Sequence, residues 1–273
     1  MLPLCAKRVS THMIHLLIAG LGLVSNAQAE SVLITAFDPF GGQSFNPSME
    51  VASLVKDQLE AENFQVTVCV IPTIYDQASL VAEDCFQKMD PKPRMVLSLG
   101  EGGSCNLEID IKSQNLDNSY GVDNAGHRRQ RHVIDPTKDS AIGFNMPLTQ
   151  MYCSLSSEER SSVNIGNTGD FLCNNTGFHL AQYFGDQVEY AFFHVPYSGC
   201  SAEQTNPKMI AGRVSELLTS GLTQLPGNPT QRMPTNHVEL SQFSDVLLPK
   251  QDQCTEEFLT RIPDAFAYKT SRF

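Results

Sequence analysis

The chain has 273 residues, of which 41% are hydrophobic, and a formal net charge of −11. That much apolar material supports a substantial core. The acidic balance argues against nucleic acid and against anionic membrane as partners.

Near the start, Lys7 and Arg8 precede an apolar run from Met13 to Val24, and Ala27-Gln28-Ala29 follows. This order predicts a secretory signal peptide over residues 1–29, cut after Ala29. The run is too short to span a bilayer. Removal of the leader takes away two positive charges and no acid, and predicts an exported protein, periplasmic or secreted, without membrane contact after cleavage. Of the 8 Cys, Cys5 leaves with the leader, and Cys69, Cys85, Cys105, Cys153, Cys173, Cys200 and Cys254 remain. An odd number in an oxidising compartment predicts three disulfides and one free thiol. Six paired cysteines allow fifteen connectivities, and spacing does not choose among them. No CxxC pair or His/Cys cluster follows a zinc pattern, so no metal site is expected.

Val32-Leu33-Ile34-Thr35-Ala36-Phe37 reads as a buried strand, closed by the breakers Asp38-Pro39-Phe40-Gly41-Gly42. After Asn46-Pro47, the residues Val51, Leu54, Val55 and Leu59 repeat at helical spacing. A second strand is predicted from Val66 to Ile71, a second helix from Tyr75 to Met89, and a third strand from Met95 to Leu99, before Gly100, Gly102 and Gly103. Strands alternating with helices predict an α/β fold whose largely parallel sheet is covered on both faces.

From Leu107 to Lys112 apolar and polar residues alternate, which predicts a strand with one wet face carrying Glu108 and Asp110. Residues Gln114 to Lys138 read as a long surface loop or small hairpin, with Arg128, Arg129 and Arg131 on a solvated face. Phe171 to Phe184 predicts a helix, Glu189 to Val195 a strand, and Ala202 to Leu218 another helix. From Gly221 onward the chain is rich in Pro, Gln and Thr. The expected organisation is a main domain over 30–220 and a C-terminal extension over 221–273, with Cys254 as a staple.

Two residues stand where chemistry is favoured. Cys173 opens its helix after the turn residues Thr168-Gly169-Asp170, and peptide dipoles near a helix N-terminus favour the thiolate, which is the reactive form. His194 follows Tyr190-Ala191-Phe192-Phe193 and precedes Val195-Pro196, so it lies at the carboxyl edge of the sheet, where the catalytic groups of open α/β sheets collect. A thiol nucleophile with a His base requires no metal or organic cofactor.

Taken in order, Phe37-Asp38-Pro39-Phe40-Gly41-Gly42 with Asn46-Pro47, Phe171-Leu172-Cys173-Asn174 and Phe193-His194-Val195-Pro196 resemble the pyroglutamyl peptidase I, or pyrrolidone-carboxylate peptidase, family. The resemblance implies a three-layer α/β/α sandwich with a mostly parallel, open, twisted sheet. It also implies removal of an N-terminal pyroglutamyl residue from a peptide or small molecule by a Cys-His-Glu triad, and frequent homo-oligomers. Carried onto this sequence, it makes Cys173 the nucleophile and His194 the general base. Phe37 and Phe40, with Gly41 and Asn46, then form the substrate pocket, which suits a flat neutral lactam.

The family's third triad member is a Glu five residues before an Asn. Here Asp110 stands five residues before Asn115, and Asp123-Asn124-Ala125-Gly126 keeps that register. Asp110 is one methylene shorter than Glu, so Glu108 on the same strand face is the alternative. Two arginines of the family align with Ser104 and Tyr120. Two further function classes stay open: an exported binding protein that kept the scaffold and lost catalysis, and a thiol hydrolase of another lactam or amide.

Overall fold

The computed structural model describes residues 29–225 and 253–266; the predicted leader lies outside them, as does much of the predicted extension. Six strands form one sheet: β1 (Ser31–Phe37), β2 (Gln65–Ile71), β3 (Met95–Glu101), β4 (Leu107–Asp110), β7 (Val163–Gly166) and β8 (Glu189–Val195), in the order β2-β1-β3-β8-β4-β7. Neighbours run parallel throughout except at β4, which is antiparallel to β8 and parallel to β7. A second, two-stranded sheet pairs β5 (Lys112–Gln114) with β6 (Ala141–Gly143).

Side-chain alternation divides the core into two halves. Val32, Ile34 and Ala36 of β1 and Ala191, Phe193 and Val195 of β8 face α1 (Pro47–Ala61), α3 (Leu148–Ser154) and α6 (Pro207–Gln224). Leu33 and Phe37 of β1 and Tyr190 and Phe192 of β8 face α2 (Gln77–Lys88) and α5 (Leu172–Phe184). The sheet is thus sandwiched between two helical layers, as expected. The same parity puts His194 on the α5 side. Leu107 and Ile109 pack on the first half, which turns Glu108 and Asp110 toward α5 as well.

That face of β4 was expected to be wet and is not: Glu108 is 4% exposed and Asp110 0%. An alternating pattern marks an edge strand or a one-sided sheet, but β4 lies between β8 and β7, so its polar face is covered. The expected strand also breaks after Asp110, and Lys112 starts the separate small sheet.

Local signals account for the helix boundaries. Asn46 and Asn206 cap α1 and α6 with their side chains, each followed by Pro, and each cap contributes about 1 kcal/mol. The cap at Asn206 starts α6 later than the expected Ala202. Helix α2 likewise starts after Tyr75, because Asp76 takes a left-handed conformation (φ 60) and the Tyr75 N–H donates to Asp123.

The segment 114–138 is more buried than a surface loop: Asn115, Asp117, Ser119 and Asp123 are all buried. Arg129 corrects the solvated-face expectation. Its guanidinium donates to Asp76 (2.8 Å) and Asp117 (3.4 Å) and stacks 4.5 Å from the Tyr75 ring. Burial raises the Asp117 carboxyl to about 7, while the Arg129 hydrogen bond holds Asp76 down at about 2.

Among the described cysteines, Cys69–Cys85, Cys105–Cys200 and Cys153–Cys254 are paired and Cys173 is free. Three bridges and one thiol agree with the odd count. Cys254 lies on α7 (Gln253–Phe266), which packs on α3 and β7. There the Phe258 and Tyr152 rings are 5.5 Å apart and the Tyr152 hydroxyl donates to Glu257. Among the described residues no helix is long and apolar enough to cross a membrane.

Candidate active site

The carboxyl ends of β1, β3 and β8 open into a cavity of about 660 Å³. Open α/β sheets bind their ligands outside the carboxyl ends of their strands. Cys173 sits in the first turn of α5, at the positive end of the helix dipole, where N–H groups lack intrahelical acceptors. Asn174 and Asn175, both 0% exposed, anchor that turn. The Asn174 amide donates to the Gln114 and Leu116 carbonyls and accepts from the Gln114 N–H. The Asn175 amide donates to Asp117 and accepts from the Asp76 N–H. The segment 114–117 therefore holds the nucleophile's helix in place.

His194 reaches the cavity from β8, where Cys173 lines the same wall, and its Nδ1 lies 2.9 Å from Asp110 Oδ2. Burial disfavours the imidazolium, but the Asp110 carboxylate and the Cys173 sulfur outweigh it, and the His194 pKa is raised well above the usual histidine value. Two glycines on β3 and just beyond it make the approach possible. A Cβ on Gly100 would stand 2.7 Å from the Cys173 sulfur, and one on Gly102 2.8 Å from the His194 Cβ.

Of the two carboxylates left open by the sequence, Asp110 is the one that meets His194 Nδ1. Glu108 is the direct cross-strand partner of His194, and its carboxylate occupies space that any side chain on Gly166 would take. Ligand atoms of Glu108, Asp110 and His194 lie within 4.8 Å of one another, a spacing that a cation could use. The 2.9 Å approach of Nδ1 to Oδ2 already engages two of the three groups with each other, which favours a proton relay over metal ligation.

Phe37, Phe40 and Asn46 line the cavity. Gly41 is not among the lining residues; it turns the chain with φ 63. Asn46 touches the cavity while its amide donates to the Asp38 carbonyl and accepts from Ser48, so its role here is also that of a helix cap. Ser104 lines the cavity and its hydroxyl accepts from Asn164. Tyr120 is 69% exposed and stands outside it. Sequence reasoning missed Phe171, whose ring lies 6.5 Å from Phe40 and 5.6 Å from Tyr75, and it missed Glu101, Asn164 and Tyr197. The position of Glu101 at the end of β3 was a usable signal, since catalytic edges gather such residues.

The family model described as pyroglutamyl peptidase matches residues 30–220. The chain belongs to the pyroglutamyl peptidase family. A pyrrolidone-carboxylate peptidase of Thermoanaerobacter sp. (strain X514) is 31% identical over 172 residues, covering 61% of this chain and 82% of that protein. One from Lacticaseibacillus paracasei is 29% identical over 171 residues, with 61% and 77% covered. Among solved structures, pyroglutamyl peptidase I from Bacillus amyloliquefaciens superposes with a TM-score of 0.61 at 21% identity, covering 74% of this chain and 97% of that one. A mutant pyrrolidone carboxyl peptidase from Pyrococcus furiosus gives 0.62 at 24% identity, with 72% and 100% covered. These two likenesses support the pyroglutamyl peptidase fold. All the site residues described above fall inside the matched stretch, whereas α7 and its Cys254 bridge lie beyond it.

Proposed function

We propose that this chain is a cysteine peptidase that removes N-terminal pyroglutamate, with Cys173 as nucleophile, His194 as acid and base, and Asp110 as the group that orients the imidazole. The observation that carries the reading is the convergence of Asp110, His194 and Cys173: His194 Nδ1 lies 2.9 Å from Asp110 Oδ2, and Cys173 and His194 line one cavity with an aromatic end. The lactam ring stacks at Phe37 and Phe40, and the scissile carbonyl faces the sulfur. The thiolate attacks that carbonyl, and first-turn amides of α5 receive the developing oxyanion. Protonated His194 passes its proton to the departing amine. The imidazole then takes a proton from water, whose oxygen displaces the sulfur and releases pyroglutamate.

Hydrolysis of a pyroglutamyl reporter by the purified protein, beside Cys173→Ala, tests this. Turnover that disappears in the variant supports the assignment, and undiminished turnover by Cys173→Ala would falsify it. A second reading, a binding protein on the same scaffold, rests on Ser104, which stands where the family resemblance puts an arginine. It predicts pyroglutamyl-peptide binding without turnover. A third, a thiol hydrolase of another lactam or amide, predicts a reactive Cys173 that leaves pyroglutamyl reporters intact. Export is part of the proposal: three disulfides suit an oxidising compartment, and pairing all other described cysteines leaves the nucleophile without a nearby thiol competitor.

A further inference from the structure

Arg129 stands where two rows of contacts meet behind the cavity, and it is not among the lining residues. The arginine is itself held. Its carbonyl accepts from the Ser119 N–H at 2.9 Å, its side chain is 20% exposed, and both arms of its guanidinium donate to Asp76, the residue before α2.

The first row runs to the nucleophile. Nη1 of Arg129 also donates to Asp117 Oδ2 at 3.4 Å. The same oxygen accepts from Asn175 Nδ2 at 2.9 Å, and Asn174 Nδ2 lies 3.5 Å from Oδ1. Asn174 and Asn175 follow Cys173 in the first turn of α5. Asp76 closes the ring, since its N–H donates to Asn175 Oδ1 at 3.0 Å. The side chains facing Asp117 in this row, Arg129, Asn174 and Asn175, all donate, and two carboxylates so placed repel each other unless a cation stands between them. A guanidinium does so with a planar fork that an ammonium cannot reproduce.

The second row runs to the aromatic end of the cavity. The guanidinium lies 4.5 Å from the centre of the Tyr75 ring. Tyr75 meets Phe171 edge-on at 5.6 Å, and Phe171, which lines the cavity, lies 6.5 Å from Phe40. Cation–π and edge-to-face contacts are directional, so the plane of the guanidinium helps to set the plane of the wall.

We infer that Arg129 is a positioning residue for the reaction: it fixes the place of Cys173 through Asp117 and Asn175, and that of the aromatic wall through Tyr75 and Phe171. This rests on the pyroglutamyl peptidase reading and adds to it a residue that acts from outside the cavity.

The test is single-turnover acylation of the full-length oxidised protein by a pyroglutamyl anilide, which separates the acylation rate constant from Kd. Arg129→Lys keeps the charge and loses the fork. Its acylation rate constant is expected to fall about tenfold or more, and its Kd to rise about threefold or more. Tyr75→Leu removes the ring and leaves the hydrogen bonds of Arg129, so Kd should rise as far while acylation stays closer to wild type; Tyr75→Phe should restore binding. A merely structural role would weaken rate and binding together in both variants. Wild-type constants in Arg129→Lys, or an equal loss of both constants in Tyr75→Leu, overturn the inference while leaving the peptidase reading intact. Should Arg129→Lys not fold, Asp117→Asn combined with Arg129→Gln, which leaves no unpaired charge at position 117, takes its place with the same expectations. If the wild type cleaves no anilide, the peptidase reading fails. Alkylation of Cys173 by iodoacetamide then decides the inference by itself: a slower rate in Arg129→Lys upholds it, and an equal or faster one ends it.

Discussion

Asp110 Oδ2 lies 2.9 Å from His194 Nδ1 across a pair of strands that run in opposite directions. Because β4 opposes β8, the acid sits two register pairs deeper than the histidine, opposite Phe192, and it is fully buried. Asp110→Asn is expected to lower kcat by about a hundredfold to ten-thousandfold, as removal of a triad acid does. Its second readout is pH. The raised His194 pKa means the imidazolium persists above the usual histidine range and is lost as pH rises through the raised value. The stability contributed by the ion pair has the same sign, complete below about pH 6.5 and lost as pH rises through the raised value. In Asp110→Asn the alkaline limb of the rate profile should move to lower pH; an unmoved limb would show that Asp110 does not charge-stabilise the imidazole.

Gly100 is expected to tolerate no side chain. Its Cβ would lie 2.7 Å from the Cys173 sulfur and 3.1 Å from two atoms of the Phe192 ring. Gly100→Ala should cost about 1–3 kcal/mol of stability by overpacking and reduce turnover at least tenfold by displacing the nucleophile. Thermal unfolding and single-turnover acylation separate the two effects.

Asp117 gives a prediction read on stability alone. Burial raises its carboxyl to about 7, so the native state retains a proton that the unfolded chain releases near pH 4. Stability therefore declines as pH rises from about 4 to about 7 on this account. Asp117→Asn should flatten that decline, and urea midpoints measured at pH 5 and pH 8 provide the check. A slope equal to wild type would contradict it.

The Cys153–Cys254 bridge closes a sequence separation of 101 residues. Cys254→Ser is expected to destabilise the fold by about 2–4 kcal/mol. Since α7 packs on α3 and β7 rather than on α5, kcat should stay within about twofold. A large loss of turnover at a temperature where the variant is folded would indicate coupling between α7 and the site.

Legibility in the sequence followed the strength of local signals. Buried apolar runs such as Val32–Phe37 and Glu189–Val195 announced their strands to within a residue, and Cys173 and His194 stood out because each closes or opens such an element. β7 has four residues, α4 (Ser157–Arg160) has four and α3 has seven, too short for periodicity to register. The burial of Glu108, Asp110 and Arg129 was invisible for a different reason. It depends on β4 lying between two strands distant in sequence and on Asp76 meeting the segment after β5, and no local pattern encodes either meeting.

The span of the cavity across the sheet has a consequence for how this protein can change. Side chains that line the cavity come from opposite flanks, Phe37 and Phe40 from β1 and the turn after it and Glu108 and Asn164 from β4 and β7, three to four strand spacings away and so farther apart than the about 7–10 Å within which substitutions couple. Variation on one flank should therefore alter recognition of half the substrate and leave the other half's recognition as it was, so the two selectivities can drift, or be engineered, separately.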